Sequence, residues 1–405
     1  MPENTKGKSP FYPGQPVPPD FFVGREKEIE RILIRGASQV AQGKPIAIFT
    51  QGEYGIGKTS IAGFTQWVAE KQHNLHGIYV PLSGCKDLND IAASVLRATV
   101  RSGALDPKRS EHIRNWLANY IGDQALFGFS LNLDALKKDA PNLSTPFQML
   151  EFLRQVRDRL QDTDIRGIFL IFDEINGVTS DAQFASFIKG MVDANAMSHE
   201  PLPLLLMLCG VEERRREMIQ KHQPVDRIFD VVEVGGLSAS EMREFFSRAF
   251  QSVQIAVTEE AMSILTHYSA GFPKIMHLLG DAAFWVDEDS FVDEKDAYAA
   301  VIMAAEDVGR KYVDQQVYNA LKSEDYHSIL KKIGVINPWT KSIKRADILS
   351  GLTSREKRKF DNFIQRMKKL KVIRPGKVHG EYVFNVRMVQ LYIWLQSRSN
   401  FPYKE

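Results

Sequence analysis

Apolar positions recur along this chain with two different periods, and the alternation between them predicts its elements. Short apolar runs fall at Ile46 to Phe49, Gly77 to Pro81, Ile168 to Phe172 within Gly167 to Gly177, and Leu204 to Leu208, and Val231 to Val234 adds a fifth broken only by Glu233. Runs of that length without polar alternation predict the fully buried strands of a parallel sheet. Around them, apolar residues three and four apart predict helices: Ile29, Ile32 and Leu33, with Ile34 beside them; Ile61, Phe64, Trp67 and Val68; Asp90 to Val100; and Phe147 to Leu160. From Leu237 the spacing becomes wholly helical. Ser238 or Ser240 caps a helix carrying Met242, Phe245, Phe246 and Phe250; Ala261 to Tyr268 follows, then Ile275, Leu278 and Leu279 on one face. The C-terminal part predicts helices over Tyr318 to Ile333 and Ile343 to Leu349, then one capped by Ser354 with Phe360, Phe363, Ile364, Met367 and Leu370 facing inward. A hairpin closes the pattern, with arms Lys371 to Pro375 and Glu381 to Val386 around a turn at Gly376 to Gly380.

Two stretches escape both periods. Residues 1–20 carry Pro10, Pro13, Pro16, Pro18 and Pro19, too many for a helix or an inner strand, and read as an extended lead-in. Residues 103–145 are less regular; Phe127, Phe129, Leu131 and Leu133 alternate as in a half-buried strand and suggest a hairpin or insertion. The expected division is a lead-in over 1–20, an α/β core over 21–236, a helical segment over 237–309 and a further domain over 310–405.

Composition adds mainly exclusions. With 405 residues, 44% hydrophobic and 25% charged, the chain has the make-up of an ordinary globular protein of two or three domains. Only Cys85 and Cys209 are present, which excludes a disulfide framework or a cysteine metal cluster and fits a cytoplasmic location. The longest apolar run, Pro201 to Cys209, is about half of what a bilayer span requires, so no membrane partner is expected. The N-terminal MPENTKGKSP lacks the apolar core of a secretory signal. Charge is unevenly spread. From Arg310 onward 21 Lys+Arg stand against 8 Asp+Glu, a balance of +13, whereas the preceding residues hold 31 and 42, a balance of −11. A basic tail behind an acidic body points to a polyanionic partner, unless the two parts attract each other or the tail is a solvated face.

The most specific chemistry lies between the first strand and the helix behind it. Gly52-Glu53-Tyr54-Gly55-Ile56-Gly57-Lys58-Thr59 matches G-x-x-x-x-G-K-[ST], and Ser60 continues it. Glycines let the backbone curl so that successive N–H groups face one anion. Lys58 supplies a point charge for the β and γ phosphates, Thr59 a hydroxyl for magnesium, and the helix start its unpaired amides. Gly167 to Asp173 then delivers Asp173 and Glu174 at a strand's C-terminal edge, where open α/β sheets bind ligands. With this loop upstream, Asp173 is assigned to the magnesium shell and Glu174 to the attacking water.

Phe22-Val23-Gly24-Arg25-Glu26 ahead of such a loop resembles the adenine-side box of AAA+ ATPases of the origin-recognition and replication-initiator type, and is similar to the neighbouring STAND class of ATPase switches. That resemblance implies an α/β P-loop NTPase with a parallel sheet flanked by helices, followed by an α-helical lid and a winged-helix domain. It also implies ATP hydrolysis with magnesium, and contact of Phe22 and Val23 with the base. Arg227 stands where these ATPases carry an arginine that completes a neighbour's site; Lys274, in the turn Gly271-Phe272-Pro273-Lys274, takes the place of a second phosphate sensor. The strand end at Cys209 departs from the family, which usually has a polar residue there, so either the sensor is absent or a neighbour such as Glu212 replaces it. Arg214, Arg215 and Arg216 read as a solvated helix face.

The C-terminal helices and hairpin resemble a winged helix. In that reading the helix from Ser354 enters a DNA groove and presents Arg355, Lys357, Arg358 and Lys359. Two functions follow from the resemblance: an ATPase that forms a homo-oligomer on duplex DNA in its ATP state, or a nucleotide-dependent signalling switch whose winged helix docks a protein partner.

Overall fold

The computed structural model describes residues 6–15, 22–102, 107–121, 126–127, 130–131, 143–160, 163–309, 317, 319–336, 342–370, 372–376, 378–385 and 387–397. Contacts divide the chain into two units, Pro16–Gly235 and Met1–Gln15 together with Gly236–Glu405.

The first unit is built on a parallel sheet. Strands β1 (Ile46–Gly52) and β2 (Leu75–Pro81) are followed by the short antiparallel arms β3 (Leu126–Phe127) and β4 (Ser130–Leu131), then by β5 (Gly167–Asp173), β6 (Leu204–Gly210) and β7 (Asp230–Val234). The five long strands pair in the order β2-β5-β6-β1-β7, all parallel. Every residue of β5 and β6 is buried, which accounts for the uninterrupted apolar runs that announce them. The helices Lys58–Gln72, Leu88–Arg101, Pro146–Arg159 and Ala182–Ala196 supply the apolar faces that cover the sheet. Phe169, Phe172, Phe152 and Phe184 are wholly buried; each such side chain contributes about 2–3 kcal/mol of transfer free energy.

One expectation needs adjustment. The inner face of Lys58–Gln72 is Ile61, Ala62, Thr65, Val68 and Ala69. Phe64 and Trp67 lie on its flank instead, because the small residues seat the helix close to the sheet and leave no room for rings there; Trp67 is 37% exposed. Phe64 stacks on Phe22 with ring centroids 4.6 Å apart. The suggested hairpin near residue 130 is present as β3 and β4, although Phe129 and Leu133 lie outside the described residues.

The second unit is helical apart from two small sheets. Ser238 begins the helix Ala239–Ser252 through a capping box with Glu241, so the cap is Ser238 and not Ser240. The helices Glu259–Ser269, Pro273–Val286 and Glu294–Val308 follow, and the short strands β8 (Ala256–Val257) and β9 (Phe291–Val292) pair in parallel. The described part of the lead-in has neither helix nor strand, but it is anchored. Phe11 is buried against Phe245, Phe246 and Phe250, and it fills the space over Gly280, where an added Cβ would lie 2.2 Å from its ring. Tyr12 donates its N–H to Nδ1 of buried His277 at 3.1 Å, and Lys6 pairs with Asp287 at 3.0 Å.

The C-terminal part contains Glu324–Val335, Arg345–Ser350, Ser354–Lys369 and Arg387–Ser397, with a three-stranded antiparallel sheet of β10 (Ile343–Lys344), β12 (Glu381–Phe384) and β11 (Ile373–Pro375). Ser354 is the first residue of its helix; the cap is Thr353, whose box with Glu356 outcompetes the serine. Tyr318, Lys371 and Val386, which bound the predicted elements, lie outside the described residues.

Candidate nucleotide site

The five strands of the main sheet run the same way, so their C-terminal ends bring Gly52, Pro81, Asp173, Gly210 and Val234 to one edge. Chain reversal from β1 into the helix Lys58–Gln72 needs the left-handed region at Gly55 (φ 77°) and Gly57 (φ 98°). Gly52 cannot be replaced for another reason: a Cβ there would meet the Val234 carbonyl oxygen at 2.6 Å. Glu53 and Tyr54 are exposed on the loop, Ile56 is buried beneath it, and Ser60 lies in the first helical turn. The Lys58 ammonium donates to the carbonyls of Gly52 (3.0 Å) and Glu53 (2.8 Å), which places a cation at the mouth of the loop.

Beside the loop, Thr59 donates its hydroxyl to Asp173 Oδ2 at 2.7 Å. Asp173 is buried, and its other oxygen accepts the Glu174 N–H at 2.8 Å. Glu174 itself is exposed in a left-handed conformation (φ 56°, ψ 47°). A non-glycine residue held there costs on the order of 1 kcal/mol, and the bond from its own N–H to Asp173 helps to fix it. An acceptor carboxylate and a free carboxylate thus stand in consecutive positions. Oxygen donors from one hydroxyl and one carboxylate suit magnesium, which takes few protein ligands and completes its shell with phosphate and water.

Two residues that the sequence reading left unassigned complete the arrangement. Arg25, buried in a left-handed conformation (φ 65°), donates to the Ile56 carbonyl at 3.0 Å and to the Gly235 carbonyl, and pairs with Glu28 at 3.4 Å. It ties the loop to the end of the last strand. Tyr79 donates its hydroxyl to Asp173 Oδ2, the oxygen that also accepts from Thr59. Burial, and after it the Asp173 charge, push the Tyr79 phenol far above its ordinary value, so it stays a donor.

Cys209 closes the row on the other side of Asp173. It follows Leu208, which is paired with Phe172, and is itself paired with Thr50 on β1. Burial and the Asp173 charge push its thiol well up against the pull of Lys58, which leaves a neutral, weak donor at the strand end. Glu212, the suggested replacement, is instead exposed and paired with Arg216 at 2.7 Å. Arg214 pairs with Glu217 and Arg215 with Asp226, so these arginines form a helix face of local ion pairs.

Phe22 and Val23 are half-buried just ahead of Arg25, with Phe22 stacked over the loop's helix. Arg227 is not brought to the loop of its own chain. It is exposed in the turn Gln223–Ile228, before the start of β7, whose other end abuts Gly52; five strand residues span about 16 Å. Lys274 is exposed in the first turn of Pro273–Val286, behind Ala270 and Gly271, both left-handed.

The chain covers 92% of its length and 96% of the Walker-type ATPase of Pyrococcus abyssi, at 15% identity and a TM-score of 0.53. It covers 92% of itself and 92% of the Aeropyrum pernix ORC2 protein, solved as ADPNP–ADP complexes, at 13% identity and a TM-score of 0.55. The fold is that of an α/β P-loop protein. No protein-family model and no curated protein matches the sequence. The likeness therefore rests on architecture: a parallel sheet with the glycine loop after its first strand and the acidic pair at the end of an inner one.

The basic residues of the tail divide into two pairs. Arg355 and Lys359 both reach Asp325, at 3.1 and 2.5 Å, while Lys357 and Arg358 are exposed and in no ion pair among the described residues. Glu356, between them, is turned inward. Burial raises its carboxyl, but bonds from Lys332, Ser328 and Thr353 outweigh that and hold it at about 2. Among the described residues no helix is long and apolar enough to cross a membrane.

Proposed function

We propose that this protein binds and hydrolyses ATP at the Gly52–Thr59 loop, and that the nucleotide state assembles or switches it on duplex DNA. The observation that carries the reading is the hydrogen bond between Thr59 and Asp173 beneath a glycine loop that already holds a lysine ammonium. In this reading the backbone N–H groups from Gly52 to Ser60 cradle the phosphates, and Lys58 turns from the loop carbonyls to the β and γ phosphates. Thr59 and Asp173 would hold magnesium, which when bound neutralises charge on those phosphates. Glu174, exposed and with its backbone N–H bonded to Asp173, orients and polarises the attacking water. Phe22 and Val23 flank the base. Arg227 completes the site of a neighbouring copy, and Lys274 serves as a second phosphate sensor.

Residues 21–236 act in this reading as the ATPase core and 237–309 as the lid. Residues 310–405 act as a winged helix, supported by helices that precede an antiparallel hairpin and by the +13 balance of that segment. A homo-oligomer on DNA then accounts for both Arg227 and the tail. The second reading, a signalling switch with a protein-docking winged helix, is favoured by one observation: Arg355 and Lys359 are already committed to Asp325. Mass measurement of the full chain with and without ATP and duplex DNA separates the two. A larger species that requires both ligands supports assembly on DNA; a monomer under all conditions supports the switch.

A further inference from the structure

We propose that Tyr79 is a positioning residue for Asp173, a placeholder that satisfies the carboxylate until magnesium arrives and that the metal must displace. The inference rests on the nucleotide reading above and deepens it. Strand register explains how the contact arises. Pro81 on β2 is paired with Asp173 on β5, and Tyr79 is paired with Ile171. Tyr79 and Asp173 are therefore diagonal neighbours on one face of a parallel pair, a separation that an aromatic side chain spans and a short one does not. The phenol hydroxyl ends on Asp173 Oδ2.

The number of donors gives the contact its meaning. Asp173 is 2% exposed, and a carboxylate that deep needs donors or it raises its own free energy by several kcal/mol. Oδ1 is served by the Glu174 N–H, and Oδ2 by both Thr59 and Tyr79. Each carboxylate oxygen has two lone pairs, so Oδ2 is full. Thr59 belongs to the phosphate loop and keeps its place beside a bound phosphate group. Tyr79 belongs to another strand, reaches the phosphate loop only where its hydroxyl meets that of Thr59 beside this acid, and is half-buried. Magnesium with its hydration shell then draws on the lone pair that the phenol gives up. The consequence is a tuned affinity: Tyr79 stabilises the metal-free site and weakens magnesium binding by the worth of one hydrogen bond to a charged group.

Tyr79→Phe in the full chain keeps the ring and removes only the hydroxyl. The measurement is the affinity for a fluorescent ATP analogue in EDTA and across a magnesium titration, with manganese paramagnetic resonance in the presence of ADP as a spectroscopic counterpart. The expected result is an EDTA affinity within about twofold of wild type and an apparent metal constant about tenfold tighter, the fold-change that corresponds to about 1.4 kcal/mol. An unchanged or weaker metal constant overturns the placeholder while leaving nucleotide binding intact. A wild-type chain that binds nucleotide with no metal dependence overturns the placeholder alone, since nothing then displaces the phenol; one that binds no nucleotide overturns both. A lowered magnesium requirement for turnover supports it; a kcat loss that magnesium does not repair marks Tyr79 as merely structural.

Discussion

Thr59 and Asp173, 114 residues apart in the chain, are joined by a 2.7 Å hydrogen bond from hydroxyl to carboxylate. That bond sets apart the two acids at the end of β5. Asp173 is occupied as an acceptor and buried, whereas Glu174 is exposed. Their substitutions must therefore differ in kind from that of the lysine. Lys58→Ala removes the cation of the loop and is expected to weaken ATP binding about 100-fold, as for loss of a charge-assisted bond of about 3 kcal/mol. Glu174→Gln keeps the shape and is expected to retain ATP while turnover falls about 10²- to 10⁴-fold. Filter binding and phosphate release separate the two effects, and wild-type turnover in Glu174→Gln would refute the assignment.

Arg227 sits at the start of β7, a strand length from its own loop. The proposed reading therefore assigns it to the site of a neighbouring copy. Arg227→Ala is expected to bind ATP normally and to hydrolyse it about 10³-fold more slowly. Mixed with Lys58→Ala chains, which retain the arginine but not the loop cation, it should regain activity at mixed interfaces. Phosphate release across a series of mixing ratios reads this directly; a flat, inactive series removes the trans role.

The lead-in anchor makes a prediction about pH. His277 is buried and accepts from the Tyr12 N–H, and burial holds its imidazole down at about 4 against an ordinary value near 6.5. The folded form thus binds the proton less readily than the unfolded form. The stability contributed by neutral His277 is full above about pH 6.5 and is lost progressively as pH falls from there to about 4, amounting to roughly 3 kcal/mol over that window. His277→Gln should flatten this part of the profile in urea melts at a series of pH values. Phe11→Ala should cost about 3–5 kcal/mol, and Gly280→Ala should release the lead-in to proteolysis, because the new methyl group and the Phe11 ring cannot share one space.

Much of the fold was legible because burial writes itself into composition. β5 and β6 are buried on both faces and so appear as unbroken apolar runs. The phosphate loop was legible because its geometry excludes side chains at Gly55 and Gly57. What escaped depends on partners distant in sequence. Tyr79 is one apolar residue in a buried strand until register sets it beside Asp173. Arg25 looks like an ordinary helix start until its guanidinium meets the Ile56 and Gly235 carbonyls. Phe11 lies in a proline-rich stretch with no periodicity, and only Gly280, 269 positions further on, gives it a site. Trp67 misled for the opposite reason: apolar residues on a helix flank have the same spacing as those on its inner face.

The tail offers the last test, because charge and contacts make different claims about the same four residues. Arg355, Lys357, Arg358 and Lys359 are alike in sequence, but Asp325 holds the first and the last, while Lys357 and Arg358 are exposed. Neutralising a phosphate releases condensed counterions, so each cation that truly meets DNA adds about −0.9 to the slope of log K against log salt. Replacing Lys357 and Arg358 together by Ala in the full chain should flatten that slope by about two. Replacing Arg355 and Lys359 should flatten it less, since part of their charge is spent on Asp325. Asp325→Asn should then steepen the slope and tighten binding, because it frees two cations without adding one. Fluorescence anisotropy on unrelated duplexes over a range of salt reads all three variants, and equal effects of the two pairs would show that Asp325 does not restrain its partners. A full chain with no measurable duplex affinity at low salt would remove DNA as the partner and leave the tail as a protein-docking surface.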